Sequence, residues 1–216
     1  MTPNSTNGSK KPIILNVVTP CSRPENLIAV YNSMWAGHIP GFELRWIVIA
    51  DADEVVPNKY FRVRYGSIET VLGHLAQPST GHAQMNLALD HYVKPGWVYR
   101  LDDDNLMHPD FIDVFLSYAK RGYYGMAFGQ IRAKDGYVAP DLKHIDSGQF
   151  VLHTTLIGET RWGLHYTADG EFFREVYAKN LGDSRWIVTE KACTYHNRLR
   201  GWGDWDERHS SVYTRL

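Results

Sequence analysis

Cysteine is scarce: Cys21 and Cys193 are the only two in 216 residues, far apart and without a CxxC pair. That excludes a disulfide-built scaffold and a thiolate zinc cluster, and it points to a reducing compartment. An excess of either charge is also missing, since 23 Lys and Arg stand against 24 Asp and Glu, for a net charge of -1. No field of one sign is available to hold a polyanion or an acidic membrane, which argues against a dedicated nucleic-acid binder. Nowhere do about 18 uninterrupted apolar residues occur, so no membrane span is expected. Residues 1–11 are polar and carry no apolar core of a secretory signal. The expectation is a disordered lead and a cytoplasmic protein, with Asn4-Ser5-Thr6 part of a solvated tail rather than a glycosylation acceptor. Internal repeats and low-complexity segments are absent.

What is present suits a globular fold: 44% of residues are hydrophobic, 13% aromatic and 22% charged. At roughly 150 residues per domain, one domain is the default. Pro12 to Thr19 (PIILNVVT) is a β-branched run of the kind that forms a central strand covered on both faces. Ser22-Arg23-Pro24 then supplies a cap candidate and a proline for a first helical turn, and Leu27, Ile28, Tyr31 and Trp35 recur at helical spacing. Leu44 to Ala50 (LRWIVIA) is a second buried-type strand, ending at Asp51-Ala52-Asp53-Glu54. A short third strand is expected at Tyr60–Tyr65, a helix over Thr80–Tyr92 and a strand over Trp97–Leu101.

That strand runs into Asp102-Asp103-Asp104-Asn105. Beyond it, Phe111, Val114, Phe115, Tyr118 and Ala119 mark an amphipathic helix stopped by Gly122. The pattern then changes to a hairpin around Asp135-Gly136, a strand over Phe150–Leu156, a helix over Asp169–Lys179 and a last strand over Ser184–Tyr195. The expected fold is α/β, with a Rossmann-like, mostly parallel sheet flanked by helices and a mixed C-terminal region.

Three adjacent carboxylates after a buried strand raise one another's pKa unless a cation or strong donors compensate them. Oxygen ligands with room for water and phosphate suit Mg²⁺ or Mn²⁺. The calcium-loop alternative fails because Leu106 and Met107 occupy positions where that loop needs an oxygen ligand and a glycine. An acidic solvated turn is the plainer alternative. Arg23 and Arg100 could pair with phosphate, with these carboxylates, or with structural partners. Asn86 could reach a ligand or bond to neighbouring backbone.

In order along the chain, VVTPCSRPENL (Val17–Leu27), IVIADADE (Ile47–Glu54), GHAQMNLALDHYVKPGWVYRLDDDN (Gly81–Asn105), DSGQFVLHTTLIGETRW (Asp146–Trp162) and ADGEFFREV (Ala168–Val176) resemble a known family. It is the GT-A fold nucleotide-sugar glycosyltransferases, within them the family 2-like inverting group, and the likeness covers about Ile13 to Asn197. The resemblance implies a GT-A domain over 12–197, with 12–107 the nucleotide-sugar half and 108–197 the acceptor and catalytic half. Residues 198–216 would be a tail, and Gly201, Trp202, Gly203 and Trp205 there could form a lid over a ligand.

On this resemblance the turn holding Thr19, Pro20 and Arg23 lies over the donor. Asp51 or Asp53 meets the nucleobase, Asn86 reaches the donor, and Asp102 and Asp103 bind the ribose or the metal's water shell. Asp104 and His196 ligate the metal, Mn²⁺ or Mg²⁺. Asp169, with Glu171 second, is the general base that takes the acceptor hydroxyl's proton; helix capping is its structural alternative. The implied partners are a nucleoside diphosphate sugar, UDP favoured, and a hydroxyl acceptor. Two other classes remain beside it. Nucleotidyl transfer lacks its Gly-rich phosphate loop here, and a non-catalytic carbohydrate-binding domain would have no use for the aspartate cluster.

Overall fold

The computed structural model describes residues 11–34, 37–50, 68–74, 81–132, 134–165, 167–183 and 185–199. The expected disordered lead (beyond Lys11), the expected strand at Tyr60–Tyr65, the acids Asp51 and Asp53, and the tail from 200 onward lie outside them.

The two apolar runs form β1 (Ile13–Cys21) and β2 (Phe42–Ala50), which pair in parallel from Ile13 opposite Phe42 to Cys21 opposite Ala50. A strand that the sequence pattern does not announce, β3 (Ile68–His74), adds in parallel beside β2. Its Ile-Glu-Thr-Val-Leu-Gly-His carries a charge and a glycine, so it lacks the continuous apolar run by which a covered strand is read. β4 (Trp97–Arg100) pairs in parallel with the other edge of β1. The chain thus builds outward from β1 through β2 to β3 and then crosses to β1's far side. Such a reversal opens a crevice at the carboxyl ends of the two strands that flank it, here β1 and β4.

The later strands make the mixed region. β5 (Leu106–Met107), β6 (Gly125–Arg132), β7 (Gly136–Val138), β8 (Phe150–His153) and β9 (Trp186–His196) continue one sheet in the order β3-β2-β1-β4-β8-β6-β9-β5, with β7 on β6. β4–β8, β8–β6, β6–β7 and β5–β9 are antiparallel, and β6–β9 is parallel. Register shifts between Ala127 and Gln130 break the β6–β9 ladder and help curl the sheet. The β6–β7 hairpin turns at Gly136, whose φ of +66° is the left-handed conformation that the expected Asp-Gly turn requires.

Period-2 alternation along the central strands feeds two cores. Val17, Trp46 and Val48 face one side, under α1 (Leu27–Ser33) and α3 (Phe111–Lys120). Val18, Ile47 and Ile49 face the other, under α2 (His82–His91), α4 (Thr154–Ile157) and α5 (Ala168–Lys179). Of the expected face of α3, Phe111, Phe115 and Ala119 are buried and Val114 and Tyr118 half-buried, with Ile112 and Leu116 buried beside them; the expected face of α5 (Phe172, Phe173, Val176) is buried.

Three local expectations are corrected. The buried face of α1 is Leu27 and Val30, leading to Met34, and Ile28 is 48% exposed. Ser22 does not cap that helix; its N–H and hydroxyl donate to Asp103. The strand expected to reach Leu156 stops at His153, because the His153 ring nitrogen accepts the Thr155 N–H and starts α4.

Candidate active site

A cleft of about 990 Å³ opens at the reversal point. Pro20, Ser22 and Arg23 reach it from the end of β1, Arg100 and Asp102 to Asp104 from the end of β4, and Asp146, Asp169 and His196 from the mixed region.

The three acids of the turn are compensated differently. Asp103 is 3% exposed and accepts the N–H groups of Ser22 and Arg23, each at 2.7 Å. It thereby pins the backbone of the Ser22-Arg23 turn that leads into α1. Arg23 Nη1 lies 2.6 Å from Asp103 Oδ1 and 3.0 Å from Asp104 Oδ2, so one guanidinium joins both acids. Hydrogen bonds to a charged acceptor contribute about 1.5–3 kcal/mol each, which makes Asp103 the fastening between β1 and the acid turn. Asp102 is served instead by Arg100, whose Nε donates at 2.7 Å. Burial pushes the Asp102 carboxyl up to about 6, against the downward pull of Arg100.

Arg100 also connects the acid turn to the opposite wall. Its Nη1 donates to Asp169 Oδ1 at 3.0 Å, and His82 Nε2 lies 3.1 Å from the same oxygen. Asp169 is the second residue of α5, and His82 is the first of α2. Burial alone would raise the Asp169 pKa, but the His82 hydrogen bond and the Arg100 charge outweigh it and hold the carboxyl below its ordinary range. Asp169 is therefore an anion at neutral pH, positioned by two groups and open to the cleft.

The end of β9 is drawn against the acid turn by two backbone donors. Asn197 N–H bonds Asn105 Oδ1 at 2.6 Å, and Leu199 N–H bonds the Asp104 carbonyl at 2.9 Å. Asn197 takes a left-handed φ of +54° to make this turn. His196 consequently lines the same cleft as Asp104. Its Nδ1 is buried with no hydrogen-bond partner, a condition that costs about 1–3 kcal/mol unless a ligand relieves it. Among the described residues no three His, Cys, Asp or Glu side chains converge as a complete metal site. A carboxylate and an imidazole are nevertheless a fitting partial donor set for Mn²⁺.

Of the residues expected on the donor, Pro20, Arg23, Asp102 and Asp103 line the cleft, as do Asp104, His196, Asp169 and Glu171. Thr19 and Asn86 do not. Thr19 is fully buried and its hydroxyl accepts the Trp46 indole N–H at 2.9 Å. Asn86 uses both ends of its amide on the backbone of Trp162, at 2.8 and 2.9 Å. Sequence reasoning attached no role to His82, 87 residues from Asp169; only the fold reveals that contact. Its place beside Gly81, at the first turn of a helix, is the sole sequence signal.

No protein-family model matches the chain, and no curated protein matches it in sequence. Solved structures do match. S. aureus TarS, residues 1–349, superimposes with a TM-score of 0.66 at 16% identity, over 85% of this chain and 60% of that one. The same protein has been solved with UDP and with UDP-GlcNAc. PcManGT from Pyrobaculum calidifontis, a mannosyltransferase solved with GDP-Man and Mn²⁺, superimposes with a TM-score of 0.64 at 12% identity, over 86% of this chain and 57% of that one. The chain shares the fold of these neighbours. The chain spans about three fifths of the length of these neighbours. Among the described residues no helix is long and apolar enough to cross a membrane.

Proposed function

We propose that the chain is a metal-dependent, inverting glycosyltransferase of the GT-A type, moving a sugar from a nucleoside diphosphate sugar, UDP favoured, to a hydroxyl acceptor. The observation that carries this reading is the buried Arg100 bridge. It ties the acid turn at the crevice to an anionic Asp169 across the cleft, so that a donor site and a base share one rigid frame. The neighbours' complexes with UDP, UDP-GlcNAc and GDP-Man support the donor class.

In this reading 12–107 supplies the donor side and 108–197 the acceptor side. Pro20, Arg23, Asp102 and Asp103 border the nucleotide, while Thr19 and Asn86 support it from behind the cleft wall. Asp104 and His196 are the residues that would hold the cation. Bound there, Mn²⁺ or Mg²⁺ supplies charge stabilisation for the departing diphosphate. Asp169 accepts the proton of the acceptor hydroxyl as its oxygen bonds the anomeric carbon. The carbon–oxygen bond to the diphosphate breaks with its electron pair on the leaving group, and attack from the opposite face inverts the anomeric centre. Arg100 and His82 keep Asp169 ionised and aimed.

A panel of nucleoside diphosphate sugars with Mn²⁺, read by thermal shift and donor hydrolysis, tests this. A donor at 100 times its dissociation constant stabilises the fold by about 2.7 kcal/mol. No shift with any donor, with or without the cation, would exclude the reading. His196→Ala is expected to weaken Mn²⁺ affinity by at least the roughly tenfold that loss of an outer-shell partner costs, and by less than loss of Asp104, since water can take the vacated position. Unchanged Mn²⁺ affinity in that variant would make His196 a structural residue with an unsatisfied nitrogen.

A further inference from the structure

The turn Asp146-Ser147-Gly148-Gln149 is fastened by three strands. Asp146 caps the short helical turn Ser147–Gln149: its Oδ1 accepts the Gly148 N–H at 2.8 Å, and its own N–H donates to Gln149 Oε1 at 3.2 Å. Gln149 Nε2 donates to the Phe128 carbonyl of β6 at 3.2 Å. The Gly148 carbonyl accepts the Tyr99 hydroxyl of β4 at 3.3 Å and the Cys193 thiol of β9 at 2.8 Å. Ser147, Gly148 and Gln149 are all buried. Bonds in so many directions hold a side chain within the roughly 0.5 Å that recognition of a ligand requires.

One polar atom of the turn is left over. Asp146 lines the cleft, and its second carboxylate oxygen, Oδ2, makes no hydrogen bond among the described residues and is not sealed from solvent. Arg132, Lys143 and Arg174 line the same cleft, yet among the described residues no basic group comes within 4.0 Å of this carboxylate. Capping requires a side-chain oxygen here, but asparagine or serine would supply one equally well.

The turn also stands between the acid turn and the base. Besides burial and Asp104, the Asp146 charge adds to the upward push on the Asp102 carboxyl. Against the upward push of burial, its neighbour Ser147 joins His82 and Arg100 in holding the Asp169 carboxyl down. In an inverting displacement the diphosphate leaves one face of the anomeric carbon while the activated hydroxyl arrives at the other, with the reacting atoms in line. The ring of the transferred sugar therefore occupies the space between the acid turn and Asp169, which Asp146 borders. We infer that Asp146 is a donor-sugar contact, its open oxygen accepting hydrogen bonds from hydroxyls of the uncharged sugar being transferred. This rests on the glycosyl-transfer reading. A hydroxyl donating to a carboxylate makes a short, charge-assisted bond, whereas a phosphate at the same oxygen would meet a like charge.

Calorimetric titration in Mn²⁺ of the wild-type protein, D146N and D146S tests this, since both variants keep a capping oxygen and lose the carboxylate. The ligands are UDP beside UDP-glucose and UDP-GlcNAc, and GDP beside GDP-mannose. For each nucleotide sugar that the wild type binds, both variants are expected to bind it about tenfold more weakly or worse, and to bind the free nucleotide within about twofold of wild type. Nucleotide-sugar affinity unchanged in both variants overturns the inference and leaves Asp146 a cap. An equal loss for the nucleotide and its sugar overturns it as well: with the ligand-free thermal midpoint unchanged it assigns Asp146 to the nucleotide or the metal, and with a lowered midpoint it makes the carboxylate structural. Failure of the wild type to bind any of the five ligands removes glycosyl transfer and this contact with it, whereas nucleotide-sugar binding indifferent to Asp146 removes the contact alone.

Discussion

Asp104→Ala is expected to abolish Mn²⁺-dependent binding of UDP while leaving the fold intact. Asp104 lies on the cleft floor beside the end of β9, where the backbone bonds from Asn197 and Leu199 bring His196 to the same cleft. Removing a direct carboxylate ligand should cost more than the roughly 10–100-fold that follows loss of an outer partner, and more than His196→Ala costs. The fold survives for two reasons. Arg23 keeps its 2.6 Å bond to Asp103, and one of three mutually repelling acids is gone. Isothermal titration of UDP with and without Mn²⁺ reads the effect: the variant's affinity in Mn²⁺ should fall to the level of the metal-free wild type. An affinity in Mn²⁺ equal to wild type would take Asp104 out of the metal site.

Asp169→Asn should lower turnover by a factor on the order of 10² to 10⁴, the contribution of a positioned general base, with donor binding unchanged. The amide keeps the shape and can still accept from Arg100 and His82, so what is lost is basicity and charge. Arg100 and His82 hold the Asp169 carboxyl below its ordinary range. The base is therefore ionised throughout neutral and mildly acidic pH. A depressed pKa means that its contribution to the rate fades only as pH falls through that lowered value, so the acid limb of kcat assigned to it lies below the ordinary carboxylate range. Transfer at the wild-type rate by Asp169→Asn, or a product that keeps the donor's anomeric configuration, would remove Asp169 as an inverting base.

The sequence alone carried the parts of this protein whose signal is local. The β-branched runs of β1 and β2, the apolar faces of α3 and α5, and the Asp-Gly hairpin all follow from periods of two and 3.6 residues or from one turn's backbone demand. So does the position of Asp102 to Asp104 at a strand's end. Where two readings compete within one turn the local signal fails. Ile28 and Val30 are equally apolar, and only the sheet beneath α1 decides that Val30 is buried. Tertiary structure decided everything that depends on chain segments meeting across long loops. Asp103 takes the N–H groups of Ser22 and Arg23 about eighty residues away, the Asn86 amide goes to Trp162, and His82 and Arg100 converge on Asp169. A side chain's alternative partners, such as phosphate, carboxylate or backbone, are chemically equivalent in sequence. The order in which strands join the sheet determines which of them is within 3 Å.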